Sequence, residues 1–257
     1  MTSLSLLLWI ALGIVLQIAL FLGISFWQHW QSYRRLKQGH TETEVPLPVV
    51  NPSNQGISGW AGFRAFKVSR RVNEDAAGQI CSFYLEPEDR HPLPTFRPGQ
   101  FLTFRFDVPR ADGNGIEQIT RCYSLSDTPG ADHYRISVKR VPSPPGSSHP
   151  PGRSSNFLHD HVPVGTVLQV RAPAGHFYLE PGNSPVVLIA GGIGITPMLS
   201  MLIWCQAHQP EREVWFYYGV RNSKEAAFAA HLKAIAAANP NVHLRMCFSD
   251  PLPQDQP

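Results

Sequence analysis

The sequence has few cysteines, and their spacing excludes the common metal sites. Among its 257 residues the only cysteines are Cys81, Cys122, Cys205 and Cys247, and none of them forms a CxxC pair. Neither a structural zinc site nor a set of iron–sulfur ligands can be written from such spacing, so no metal is predicted. We expect four free thiols, buried or half-buried, in a reducing compartment.

An excess of charge of one sign is also missing. The chain has 22 basic and 19 acidic residues, which gives a formal net charge of +3. Proteins that bind the phosphate backbone usually need a broad basic surface, so no nucleic-acid partner is predicted. A hydrophobic content of 43% is enough to bury one large core or two modest ones.

No charged residue occurs in the long apolar run at residues 4–27, and no basic residue precedes it. A secretory signal would begin with a charged segment, so the run predicts a membrane anchor rather than a cleaved leader. Arg34, Arg35 and Lys37 follow it, which by the positive-inside rule places the soluble domain in the cytoplasm. Residues 1–37 are therefore predicted to be a transmembrane helix with its basic flank, in a single-pass membrane protein.

The middle of the chain has the pattern of short strands. Residues 38–59 are polar and rich in proline, which predicts a linker. From residue 60, β-rich runs alternate with turn residues, and they lie at 63–72, 79–85, 101–106, 119–126, 134–140 and 167–172. Six such runs predict a six-stranded antiparallel Greek-key barrel over residues 60–180. The stretch at 141–152 is rich in proline, serine and glycine and predicts an exposed loop within it.

The pattern changes after residue 180 to strands that alternate with helices. The predicted elements are strands at 185–190, 213–219 and 242–248 and helices at 197–208 and 223–238. A βαβαβ order indicates a parallel sheet with right-handed crossovers. Residues 181–257 are therefore predicted to be an α/β nucleotide-binding domain.

A glycine-rich turn between the first of these strands and its helix is the strongest local signal. Gly191, Gly192 and Gly194 leave room for a phosphate beside the backbone N–H groups, and Thr196 is predicted as the N-cap of the following helix. The same sequence would also occur if these glycines served only to make the turn tight.

Two weaker signals lie in the predicted barrel. Three neighbouring residues of one strand have suitable side chains. The Arg121 guanidinium can bind phosphate, the Tyr123 ring can stack on a flat heterocycle and the Ser124 hydroxyl can form a hydrogen bond with a ring nitrogen. As chemistry alone this signal is weak, because Arg-x-Tyr-Ser in a strand is more often part of an ordinary exposed face. In the second, Gly152, Ser154 and Ser155 open a helical segment, where they either hold phosphate or simply cap the helix.

The order of these motifs resembles the ferredoxin-NADP reductase superfamily, particularly its flavohaemoglobin-like and bacterial electron-transfer reductases. The succession is RPGQF, RCYS, YRISVKR, GRSSNFL, GHF, LIAGGIGITPMLSML and YYGVRN, and it runs from about Trp60 to about Pro251. The resemblance implies a flavin-dependent oxidoreductase that transfers a hydride from NAD(P)H to FAD and passes electrons singly to an iron–sulfur or haem acceptor. FAD is favoured over FMN.

The resemblance also implies roles for individual residues. Tyr123 and Ser124 are expected beside the reactive part of the flavin, as catalytic residues that also bind it, while Arg121 contacts its phosphates. The remaining flavin contacts are implied for Ser137, Val138, Lys139, Gly152, Ser154 and Ser155. NAD(P)H is expected at Gly191, Gly192, Gly194 and Thr196, with its adenosine half near Arg221 and Ser249.

The end of the sequence departs from that family. Its members continue into a strand with a Cys-Gly-Pro motif and often into a 2Fe-2S ferredoxin module, and neither follows here before Pro257. The expectation is an incomplete α/β domain, either as a fragment of a longer reductase or as a membrane-tethered flavin-binding or interaction module without efficient turnover. The choice between NADH and NADPH, the acceptor and the oligomeric state stay open.

Overall fold

The computed structural model describes residues 59–110, 114–130 and 132–255, all within one compact unit. The predicted anchor at 1–37 and nearly all of the predicted linker lie outside these ranges. Among the residues in these ranges, no helix combines the length and the apolar character that crossing a membrane requires.

The first half of the described chain is an antiparallel, barrel-like sheet of six strands. These are β1 (Arg64–Asn73), β2 (Ile80–Pro87), β3 (Phe101–Pro109), β4 (Ile116–Ser124), β5 (Tyr134–Lys139) and β6 (Val167–Ala174). Their order is β4-β3-β6-β1-β2-β5, and a bridge between Leu125 and Ile136 joins its two ends. All six lie where the sequence predicts them, and β6 returns to lie between β1 and β3, as in a Greek key.

Strand β3 shows why these sequences form strands. Its alternate residues Leu102, Phe104, Phe106 and Val108 are buried, while the residues between them are partly or fully exposed. Alternation with period two is the signature of a strand with one face on a core, and each buried apolar side chain contributes about 1.5–3 kcal/mol. Helix α1 (Arg153–His161) follows the exposed loop and packs on this core through the fully buried Leu158.

The second half is a parallel sheet with two crossover helices. The elements in order are β7 (Val186–Gly191), α2 (Ile195–His208), β8 (Val214–Val220), α3 (Ala229–Ala238) and β9 (Val242–Phe248). Within the described residues the sheet has three strands in the order β7-β8-β9. Buried residues of both helices share one core with the strands. Because all three strands run parallel, their carboxyl ends meet at one edge of the sheet.

The predicted start of the helix at 223–238 is wrong. A short 3₁₀ turn covers Ser223–Glu225, and α3 begins only after Phe228, whose φ is +59°. The backbone N–H of Phe228 donates to the carbonyl oxygen of Glu74 in the barrel at 3.1 Å. This contact between the two halves stabilises a left-handed conformation that interrupts a helix.

Candidate functional site

Tyr123 connects strand β4 to the start of helix α1. Its ring packs edge-on against Phe104 and Phe106, and its hydroxyl donates to Oγ of Ser154 at 3.1 Å. Burial raises the pKa of Tyr123, so the phenol stays neutral. Arg121 lies two residues earlier, with an exposed guanidinium that donates to the carbonyl oxygen of Thr120 at 2.7 Å. The structure thus brings Tyr123 and Ser154 into contact, with the charge of Arg121 close by.

The start of α1 can accept an anion. Gly152 is its N-cap, no side chain caps the helix, and its first turn has no acidic residue. A Cβ at Gly152 would lie 2.8 Å from Oγ of Ser155 and 2.9 Å from Cβ of Val141, so a larger residue does not fit. Ser155 is itself buried, and its hydroxyl donates to the carbonyl oxygen of Gly152 at 3.4 Å. The free N–H groups and the Ser154 hydroxyl form a suitable seat for phosphate.

The three predicted flavin contacts on strand β5 lie in different surroundings. The Ser137 hydroxyl lies between those of Ser82 and Ser126, at 2.7 and 2.8 Å, and is buried. Val138 is also buried, and its carbonyl oxygen accepts a hydrogen bond from Nε2 of His159 at 2.9 Å. The Val138 side chain therefore belongs to the barrel core, whereas Ser137 lies on the opposite face of the strand, the face from which Lys139 reaches the α/β half.

The glycine-rich turn forms an open cradle at the end of β7. Gly192–Gly194 is a 3₁₀ turn between the strand and α2, and Gly192 has a φ of +50°. A Cβ built on Gly191, Gly192 or Gly194 meets no other atom within 4 Å. The glycines therefore do not serve close packing within the protein. Open space beside backbone N–H groups at a helix start is what a pyrophosphate needs.

Thr196 is not the N-cap of α2 as predicted. The 3₁₀ turn leads directly into the helix, so Ile195 is its first residue and Gly194 its N-cap. The Thr196 hydroxyl instead donates to the carbonyl oxygen of Ile193 at 3.1 Å, and the residue is buried. Thr196 thus stabilises the turn.

A cavity of about 430 Å³ lies at the carboxyl edge of the parallel sheet. Its lining includes four predicted residues, which are Lys139, Gly192, Arg221 and Ser249. Glu225, which no sequence motif singles out, lines it too. Its four-residue spacing from Arg221 would favour an ion pair on a helix, but here the spacing includes a 3₁₀ turn. One cavity therefore collects the glycine turn, the ends of β8 and β9 and a lysine from the barrel.

Glu225 connects the two halves of the molecule at this cavity. Its Oε2 lies 3.0 Å from Nζ of Lys139, and its Oε1 lies 2.5 Å from Nη2 of Arg221. Although burial acts in the opposite direction, hydrogen bonds from Lys139 and Arg221 lower the pKa of Glu225. The carboxylate is ionised at neutral pH and uses one oxygen for each cation.

The four cysteines are free, but not all are buried as predicted. Cys81 and Cys205 are buried, whereas Cys122 and Cys247 are exposed. Cys122 lies on the outer face of β4, where Thr103 is its strand partner. In the three described ranges, no cluster of metal-ligating side chains occurs.

A six-stranded antiparallel barrel with an open helix start, next to a parallel sheet with a glycine cradle, is the arrangement of a two-domain oxidoreductase for nucleotide cofactors. Residues 66–178 match the family of oxidoreductase FAD-binding domains, and residues 188–256 match that of oxidoreductase NAD-binding domains. The chain belongs to the FAD- and NAD-binding oxidoreductases of the ferredoxin reductase-like superfamily, which confirms the predicted class, the cofactors and the use of NAD(P)H.

Individual relatives give the same assignment. The chain is 43% identical over 203 residues to a flavohemoprotein of Rhodopirellula baltica, a match that covers 77% of this chain and 47% of that one. The flavohem-like FAD/NAD-binding domain of nitric oxide dioxygenase from Vibrio cholerae is 32% identical, with a TM-score of 0.67 over 76% of this chain and 77% of that one. Phthalate dioxygenase reductase is 30% identical, with a TM-score of 0.59 over 76% of this chain and 54% of that one. The chain spans about half the length of the curated relatives it matches.

The predicted single-pass membrane localisation is corrected by these findings. None of the described helices offers a span, and the matched relatives are flavohemoproteins and flavin-dependent reductases. The predicted span at 4–27 is itself outside the described residues, and we do not retain the localisation. The matches give no support to the predicted early end of the fold, which stays a prediction.

Proposed function

We propose that the chain is the reductase part of an electron-transfer system that delivers electrons from NAD(P)H, one at a time, to a haem or iron–sulfur acceptor. The observation that carries the proposal is that Lys139 of the barrel lines the same cavity as Gly192 of the glycine turn. The flavin barrel and the nucleotide cradle thus share one cavity. Reaction between two bound cofactors requires such contact, because its rate depends steeply on their distance and orientation.

The barrel side of the site fits FAD. Bound FAD would supply the conversion of a two-electron donor into single electrons, which no amino-acid side chain provides. In our proposal Arg121 and the start of α1, with Ser154, bind its phosphates, because a guanidinium and a helix N-terminus both favour anions. The Tyr123 ring packs against the isoalloxazine, and Ser124, at the end of β4, lies beside its N5.

Residues of β5 and α1 complete the proposed flavin site. Ser137 and Val138 contribute through their backbone, since the Val138 side chain packs in the barrel core and the Ser137 hydroxyl is already bonded to those of Ser82 and Ser126. Gly152 keeps the approach to α1 free of a side chain, and Ser155 holds the N-cap in place through its hydrogen bond.

The α/β side fits a pyridine dinucleotide. We assign the pyrophosphate to the cradle of Gly191, Gly192 and Gly194, which Thr196 stabilises from within the helix. The adenosine half follows the cavity toward Arg221 and Ser249 at the ends of β8 and β9. We propose residues 60–180 as the flavin domain and residues 181–257 as the nucleotide domain.

The nature of the acceptor is inferred from the relatives. Flavohemoproteins contain haem by name, and phthalate dioxygenase reductase is described as transferring electrons from pyridine nucleotides to a [2Fe-2S] centre. Both centres accept one electron at a time. A one-electron metal centre is therefore the acceptor that we propose for this chain.

The proposal is tested by steady-state reduction of two acceptors, cytochrome c as a haem protein and a 2Fe-2S ferredoxin, by FAD-loaded protein and NAD(P)H. We expect at least one of them to be reduced catalytically. Rapid reduction of the flavin by NAD(P)H without turnover on either acceptor would contradict delivery to such a centre.

A further inference from the structure

The cavity at the carboxyl edge of the sheet contains few charged groups, and all of them are paired with one another. Of the residues that line it, two are cations, Lys139 and Arg221, and one is an anion, Glu225. Glu225 binds both cations, at 3.0 and 2.5 Å, with a different oxygen for each. Within the described lining, then, no cation is left over for an additional phosphate.

The two ion pairs of Glu225 differ in how exposed their cations are. The Glu225 side chain is 14% exposed, and Lys139 reaches it from the barrel, whereas the Arg221 side chain is 66% exposed. A second carboxylate lies next to this loop, because Oδ2 of Asp255 accepts the backbone N–H of Ser223 at 2.9 Å. Two acidic side chains therefore lie beside the loop between Arg221 and Glu225, which also contains the exposed Lys224.

We infer that Glu225 makes this cavity selective for NADH over NADPH, an inference that rests on the proposed function in taking the cavity as the nucleotide site. NADPH differs from NADH by one phosphate on the adenosine ribose. To bind here, that phosphate would have to compete with the Glu225 carboxylate for the Arg221 guanidinium. A ribose hydroxyl instead can donate a hydrogen bond to a carboxylate, as an acidic residue does in dinucleotide-binding folds.

The test uses two ligands that differ only in this phosphate. Binding of ADP-ribose and of 2′-phospho-ADP-ribose to FAD-loaded full chain is measured by calorimetry, which needs no turnover. We expect the wild type to bind ADP-ribose at least 10-fold more tightly than its 2′-phosphorylated form. In Glu225→Gln, where Arg221 is released and the negative charge is gone, that preference should fall by about 10-fold, the effect of one charge-assisted contact.

Two further variants separate this role from a structural one. Arg221→Gln added to Glu225→Gln should remove most of the gained affinity for the 2′-phosphate, because the released guanidinium provides it. The matched control is Asp89→Asn, which breaks the ion pair with Arg64 outside the cavity and should leave the preference unchanged.

The outcomes are distinguishable. A wild type that prefers the 2′-phosphorylated ligand, or an unchanged preference in Glu225→Gln with binding intact, overturns the role of Glu225 alone. Binding of neither ligand to the wild type overturns this inference together with the nucleotide site of the proposed function.

Discussion

The hydroxyl of Tyr123 lies 3.1 Å from Oγ of Ser154, although the two residues are 31 positions apart in the sequence. This hydrogen bond joins a strand of the barrel to the first turn of α1. The aromatic ring proposed to contact the flavin and the helix start proposed to bind its phosphates therefore have a fixed relative position. Flavin binding should depend on this connection as well as on each residue alone.

The first prediction concerns this hydrogen bond. Tyr123→Phe and Ser154→Ala should each lower the free energy of unfolding, and a double-mutant cycle should give a coupling of about 1 kcal/mol, the usual size for one such bond. Tyr123→Phe keeps the ring and should retain FAD, whereas Tyr123→Ala should lose much of it. Urea unfolding and FAD titration measure the two effects. Additive single variants would show that the bond does not contribute.

The second prediction concerns the phosphate contact of Arg121. Arg121→Ala should weaken FAD binding by about 10- to 100-fold, as expected for the loss of a charged hydrogen bond of about 1.5–3 kcal/mol. The matched control is Arg105→Ala on the neighbouring strand, where the guanidinium lies 4.4 Å from the centre of the Phe63 ring. Equal losses of FAD in the two variants would point to general electrostatics instead of a specific contact.

The third prediction concerns the glycine cradle. Gly192→Val should suppress reduction of the flavin by NAD(P)H without releasing the flavin, because its side chain fills the cradle and leaves the barrel untouched. Two variants separate filling from backbone strain. Gly191→Ala fills space at a residue without positive φ, whereas Gly182→Ala introduces strain at a φ of +132°, outside the cradle. Reduction should slow in Gly191→Ala and not in Gly182→Ala, and loss of flavin from Gly192→Val would show that the two sites are wrongly divided.

Much of the fold could be predicted from local sequence. Alternating burial in strands such as β3, and the change to strand–helix alternation after residue 180, are local patterns that the structure confirms. The glycine turn is also local, since its residues are consecutive and their backbone positions follow from the strand and helix on either side.

What sequence patterns miss depends on contacts between distant segments. Glu225 meets Lys139 across 86 positions, and no spacing rule covers such a pair. The late start of α3 follows from the bond between Phe228 and Glu74 in the other half of the molecule. The buried position of the Ser137 hydroxyl likewise depends on Ser82 in the neighbouring strand.

The fourth prediction concerns acid stability. Because the folded-state pKa of Glu225 lies below its ordinary value of 4.5, its ion pairs stabilise the fold fully above that pH. Stability from this residue should be lost as the pH falls below that value and through the lowered pKa, where the carboxylate becomes protonated. The urea midpoint measured at a series of pH values should fall less steeply in Glu225→Gln than in the wild type. Parallel curves would show that the ion pairs with Lys139 and Arg221 contribute no net stability.

The barrel and the cavity at the edge of the parallel sheet are proposed to bring a flavin and a pyridine nucleotide together. This is measured by anaerobic stopped-flow mixing of FAD-loaded protein with NADH and with NADPH, followed by the visible absorbance of the flavin. Dithionite serves as the control that bleaches the flavin fully. We expect complete bleaching by at least one nucleotide, in a phase whose rate saturates with nucleotide concentration. Flavin that dithionite bleaches but that neither nucleotide reduces would show that the two cofactors do not meet in this protein.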